Sequence, residues 1–178
     1  EIRSHTLSIG NISAKTGASI NWSIVEKSPV RVADKSSEQA MIQEIDAART
    51  ELDTLGGVFE VRASGLPMGL GSHVHWDLKL DGLIAQAVMS INAVKAVEIG
   101  EGIDNSFGKG SEVMDVILPE SAWELRKWER MSNRAGGLEA GITNGQDLVV
   151  RGFLKPISTV PKKMPTADLI SGKETESF

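Results

Sequence analysis

Asn144-Gly145 stands between two apolar runs, Leu138 to Ile142 and Leu148 to Leu154. Asparagine and glycine both tolerate the positive φ of a type I′ turn, so the pair is the strongest short-range hairpin signal in the chain and predicts two strands meeting there. Before it, Gly136, Gly137 and Gly141 admit backbone conformations closed to other residues, or approach to a ligand with no Cβ in the way. After it, Pro156 cannot donate to a central ladder, so Lys155-Pro156-Ile157-Ser158-Thr159 ends the strand. Lys155, Ser158 and Thr159 then offer one charge and two hydroxyls, a set suited to phosphate oxygens. A glycine-rich loop with a solvated lysine is the alternative that composition leaves open. The stretch matches neither a dinucleotide fingerprint nor a P-loop.

The rest of the chain supplies alternating strands and helices. Ile2, Leu7 and Ile9 predict an opening strand Ile2 to Gly10, and Asn11 to Ser28 shows no sustained period and is expected as loop. His5 is expected to make an ordinary strand hydrogen bond, since no nucleophile or carboxylate is placed with it locally. Ser36 and Gln39 form a capping box ahead of Ala40, Met41, Ile45, Ala48 and Leu52, which predicts a helix from Ser37 to about Leu52 with its acidic residues in solvent. Gly56-Gly57 stops it, and Val58 to Ala63 alternates as a strand.

His73 and His75 would share a face of an extended segment, but no third metal ligand is placed with them, and the loop is expected to pack through Trp76. Asp77 can cap a second helix with the stripe Leu80, Ile84, Ala87, Val88 and Ile91, expected to be nearly all buried. Asn92 and Ala93 then form the corner into a strand Val94 to Ile99. Ser121 to Glu124 is another capping box within an otherwise irregular stretch from Glu101 to Met131, and Val160 to Phe178 reads as an extended tail. Strand, helix, strand, helix, strand and hairpin make an α+β domain, a mostly antiparallel sheet with helices packed on one face.

At 178 residues the chain is expected to form one domain. A net charge of -5 with interleaved signs argues against a nucleic-acid or anionic-membrane surface. There is no cysteine, hence no disulfide framework and no thiol nucleophile. No apolar run is long enough to span a bilayer, and a cytoplasmic location is expected.

Three spaced segments carry a resemblance. Ser132 to Thr159, Met89-Ser90-Ile91-Asn92-Ala93-Val94-Lys95-Ala96-Val97-Glu98-Ile99-Gly100 and Gly65-Leu66-Pro67-Met68-Gly69-Leu70-Gly71 together resemble chorismate synthase, and the likeness runs through nearly the whole chain. The resemblance implies an interior piece of a longer chain, a single incomplete domain over 1–178. The family's Gly-Glu-Ser-His-Gly, Arg-Ser-Ser-Ala-Arg-Glu and Arg-Ser-Asp type motifs have no counterpart here. It implies roughly one half of a layered sandwich, with the helices partly uncovered and prone to self-association. It implies elimination of phosphate from 5-enolpyruvylshikimate 3-phosphate with reduced FMN, in a homo-oligomer that is a tetramer in the family.

Carried over by position, Asn92, Ala93, Ala140, Lys155, Pro156, Ile157, Ser158 and Thr159 would contact the cofactor, with Asn133 and Arg134 as neighbours. The family's proton-handling histidines and aspartate would lie in the segments without counterpart, so no residue here inherits a catalytic role and the chain alone is expected to be inactive. Ala96 and Ala140 stand where glycine is common, and Leu78 and Leu83 where arginine is common. Two other readings remain: a phosphate- or nucleotide-binding module without catalysis, and a structural domain whose glycine loops do no chemistry.

Overall fold

A computed structural model of the chain describes residues 1–15, 19–118 and 129–177. Strand β1 (Ile2–Ile9) turns through Gly10, with φ 54°, into the short antiparallel β2 (Ile12–Ser13). Helix α1 (Trp22–Lys27) follows, then α2 (Lys35–Thr50), β3 (Gly57–Ala63), a 3-10 turn at Trp76–Leu78, α3 (Leu80–Met89) and β4 (Val94–Ile99). Two single-turn helices, α4 (Gly102–Asn105) and α5 (Gly110–Val113), precede β5 (Leu138–Glu139), β6 (Ile142–Thr143) and β7 (Leu148–Leu154). The chain ends in β8 (Pro165–Ala167) and β9 (Glu174–Glu176). The architecture is the expected α+β, with a five-stranded antiparallel sheet ordered β2-β1-β3-β7-β4.

Two compact units divide the residues: Glu1–Thr6 with Val58–Leu154, and Leu7–Gly57 with the chain from Lys155 onward. Each has its own small core. In the first, Ala63, Val94, Leu138, Val149 and Val150 are buried; in the second, Val25, Val32 and Met41 are.

Local chemistry moves several boundaries from where the sequence put them. The expected loop 11–28 contains α1, because the Asn21 side-chain oxygen accepts from Ser23 N–H at 3.1 Å and Val25 buries completely; six residues are too few to show a period. Helix α2 begins two residues before Ser37, and its cap is Asp34 rather than Ser36. The Asp34 carboxylate accepts from the Ser37 hydroxyl at 2.6 Å and from Ser36 N–H at 2.9 Å. Those bonds, Ser37 first, hold its carboxyl well below the usual carboxylate range. The tail is not simply extended, since β8 and β9 pair antiparallel with Thr166 opposite Thr175. The capping box at Ser121 to Glu124 lies outside the described residues.

The hairpin forms, but around a different turn. Leu138 pairs with Thr143 and Glu139 with Ile142, so the two-residue turn is Ala140-Gly141, with φ 53° and 88°. Positive φ at both central residues is the type I′ requirement. Asn144 instead accepts from Gln146 N–H through its side chain at 3.0 Å, an Asx turn that delivers the chain to β7, and β7 pairs with β4.

Helix α3 departs furthest from expectation. It packs on β4, β6 and the 3-10 turn, yet none of its residues is buried, and Leu83 and Met89 are each 45% exposed. Its apolar composition matches a burial that this chain provides on one side only, in keeping with the partly uncovered helix that half of a layered sandwich implies. Trp76, expected to pack against a neighbour, is 82% exposed.

Candidate functional site

In the first unit, Asn92 and Ala93 are the two central residues of a turn closed by Val94 N–H donating to Ile91 C=O at 3.1 Å. Ala93 lies at φ 71°, the left-handed region that position i+2 of a type II turn occupies. Glycine or asparagine is usual there, and an alanine carries a penalty of about 1 kcal/mol or more. Ala140 is a second non-glycine residue in that region, at the exposed corner of the β5–β6 turn. Its neighbour Gly141 is locked in place: its carbonyl accepts from Leu80 N–H, the first residue of α3, at 2.9 Å, and an added Cβ would lie 2.7 Å from Ser72 C=O.

Asn92-Ala93 and Ala140 therefore sit at opposite ends of α3, about 15 Å apart for ten residues at 1.5 Å rise. A ligand meeting both must lie along that helix. The Ala140 corner is approached by the glycine-rich segment, and Asp115, only 6% exposed, holds that segment. Its carboxylate accepts from the Ser132 hydroxyl, from Arg134 N–H at 2.8 Å and from Ala135 N–H at 2.9 Å. Burial alone would raise the Asp115 carboxyl; the Ser132 hydroxyl and the two N–H groups outweigh it and keep it below its ordinary value. Asn133 adds a second brace, accepting from Gly137 N–H and donating to Asp147 C=O, both at 2.8 Å. Gly136 then passes so close to Gly100 that no Cβ fits between the backbones.

Lys155 to Thr159 belong to the second unit, as an exposed loop directly after β7. Thr54 hydroxyl donates to Ile157 C=O at 2.8 Å, fixing the loop while Lys155, Ser158 and Thr159 stay open to solvent. A fixed loop carrying one ammonium and two hydroxyls is a donor set for phosphate oxygens.

The substituted positions can be placed as well. Ala96 is exposed just past a bulge in β4 and has ordinary strand backbone, so its methyl is accommodated. Leu78 and Leu83 are 52% and 45% exposed, so the arginines common there would also face solvent. Among the described residues, no group of three His, Cys, Asp or Glu side chains converges as a metal site; His75 Nδ1 is 3.9 Å from Asp77, with no further ligand.

Sequence reasoning missed a row of buried charge across the first unit. Glu60 on β3 is 1% exposed and accepts from His5 Nε2 at 3.1 Å, Arg62 Nε at 2.6 Å and Arg151 Nε at 2.8 Å. Arg151 reaches on to Glu98 on β4 at 3.0 Å, and Glu98 accepts from Ile103 N–H at 2.9 Å at the start of α4. Burial works to raise the Glu60 carboxyl, but the hydrogen bonds from His5, Arg151 and Arg62 prevail and lower it to about 2. His5 thus has a carboxylate partner, 55 residues away in sequence. Its role here is to hold strands together.

The family model for chorismate synthase matches residues 1–177. Chorismate synthase of Saccharopolyspora erythraea is 48% identical over 100% of this chain, and that of Thermus thermophilus 51% identical over 85%. The chain spans less than half the length of these relatives, 45% and 39% respectively. A crystal structure of chorismate synthase superimposes with a TM-score of 0.79 at 39% identity, over 90% of this chain and 50% of that one. With the family model spanning residues 1–177 and the fold agreeing over 90% of the chain, the chain belongs to the chorismate synthase family.

Proposed function

We propose that this chain carries cofactor-contacting elements of a chorismate synthase, a lyase that removes phosphate from 5-enolpyruvylshikimate 3-phosphate by 1,4-elimination. The observation that carries the reading is the coincidence of strain with position. Ala93 and Ala140, two of the non-glycine residues held at positive φ among the described residues, are positions that family likeness assigns to cofactor contact. Strained backbone that persists at such corners is characteristic of sites that present main-chain groups to a ligand.

The residues suit reduced FMN. Lys155 compensates a phosphate or the electron-rich ring, Ser158 and Thr159 donate hydroxyls, and the Asn92 amide offers both a donor and an acceptor. Ala93 and Ala140 contribute backbone without side-chain bulk. When bound, reduced FMN supplies electron density transiently to the substrate, with no net redox change. The chain's own part is to orient cofactor and substrate, offset their charge and keep water away. Proton handling falls to motifs of the family without a counterpart in 1–178, so we expect these residues alone to yield no chorismate. A homo-oligomeric, cytoplasmic enzyme is the matching setting.

Anaerobic titration with reduced FMN tests the reading. Binding is expected, and Lys155→Ala should weaken it about tenfold or more, the worth of one charge-assisted contact. Equal affinity for the variant, or a preference for any phosphorylated ligand regardless of the flavin ring, refutes it.

A further inference from the structure

The second unit carries both halves of an apolar contact. At the tip of the β8–β9 hairpin, Leu169 and Ile170 are completely exposed, at 101% and 97%. The turn that presents them is ordered. Asp168 accepts from Ile170 N–H at 3.1 Å and Ser171 N–H at 2.6 Å, Gly172 takes φ 67°, and Asp168 N–H donates to Lys173 C=O at 2.9 Å. Ser177 N–H closes the base on Met164 C=O at 2.8 Å. Two adjacent aliphatic side chains on a fixed turn form a knob whose ordering cost is already met.

At the C-terminal end of α2, Ile45, Leu52, Leu55 and Pro161 wall a cleft of about 400 Å³, with Arg49 and Asp53 as its charged members. The cleft is predominantly apolar, and Leu52 remains 57% exposed. Eight side-chain carbons, at roughly the 30 Å³ of a water-sized group each, need ~240 Å³, so a leucine and an isoleucine fit together. The charges match as well: Asp168 and Lys173 flank the knob, Arg49 and Asp53 the cleft.

We propose that the Leu169-Ile170 tip of one copy of this chain inserts into the Leu52–Pro161 cleft of a second copy. Asp168 then meets Arg49, and Lys173 meets Asp53. The proposal rests on the self-association expected of the family and adds the surface that makes it. It is independent of flavin binding, so loss of that binding leaves it untouched.

Because the chain has no cysteine, single cysteines report the contact cleanly. Leu52→Cys mixed with Ile170→Cys under mild oxidation should give the mixed disulfide well above Leu52→Cys mixed with Lys95→Cys, an exposed control position. In sedimentation equilibrium, Leu169→Asp/Ile170→Asp should raise the dissociation constant at least tenfold with an unchanged circular dichroism spectrum. Asp53→Lys should weaken association, and adding Lys173→Asp, whose side chain takes no part in the turn, should recover it. A monomeric parent chain, a tip variant that associates as well as the parent, or a mixed disulfide no more abundant than the control overturns the proposal.

Discussion

Replacing Glu60 by glutamine keeps the shape of the side chain and removes the charge that the buried row is built around. Three donors converge on this carboxylate, and its pKa falls from an ordinary 4.5 to about 2. At about 1.4 kcal/mol per pH unit, that gap corresponds to ~3 kcal/mol of folding free energy. The folded-state pKa is depressed, so the contribution is fully present above pH 4.5 and is lost as pH falls towards 2, where the folded form also takes up its proton. Glu60→Gln should therefore unfold about 3 kcal/mol more easily than the parent at pH 6. By pH 3.5 about 1.4 kcal/mol of that difference should be gone, because the unfolded parent is by then largely protonated at this residue. Urea titrations of both proteins at half-unit steps from pH 6 to 3.5, followed by far-UV circular dichroism, measure the difference directly. A gap that stays constant across the range would show that Glu60 contributes packing and not charge. A gap below 1 kcal/mol at pH 6 would show that desolvation cancels the three bonds.

Other consequences follow from the loops around the site. Asp115→Asn should cost roughly 2–3 kcal/mol, because an amide cannot accept all three bonds that the carboxylate takes, and hydrogen exchange in 132–137 should quicken. Gly136→Ala places a Cβ against the Gly100 backbone at a φ of 63°, so ~3 kcal/mol or more should be lost, seen as a fall in thermal midpoint or in soluble yield. Ala93→Gly should raise stability by up to ~1 kcal/mol by relieving the left-handed alanine, with reduced-FMN affinity unchanged if only backbone meets the ligand.

What could be read from the sequence was whatever announced itself within a few residues. Strand β4 is legible at Val94 to Ile99 because it follows directly on the Asn92-Ala93 corner, and α2 because its apolar stripe recurs from Ala40 to Leu52. Helix α1, with six residues and one buried valine, offers too short a window for any period to emerge. The hairpin shows how a local signal can be right about the motif and wrong about its place. Asn144-Gly145 has better turn chemistry than Ala140-Gly141, but Gly141 is the residue with Ser72 and Lys79 pressed against it, and those contacts come from 60 to 70 positions away. Tertiary packing settled a choice that turn propensity alone would have made the other way.

The same reasoning separates the site residues that sequence could find from those it could not. Lys155, Ser158 and Thr159 form a contiguous set, and their chemistry is visible in the letters. The groups that brace the rest are scattered: Asp115 reaches seventeen to twenty residues forward to hold Ser132, Arg134 and Ala135, while Glu60 draws on positions 5, 62 and 151. A buried carboxylate has no local signature, because what makes burial tolerable is a partner on another strand. Alanine at positive φ has none either, since its small side chain advertises neither strain nor function. The braces are consequently the sharper test of how the site is built. If Asp115→Asn disorders 132–137 while leaving the thermal midpoint of the first unit nearly intact, the glycine-rich segment is a separately held loop. If the whole unit melts with it, the loop is part of the core, and Ala140 is presented by the fold itself.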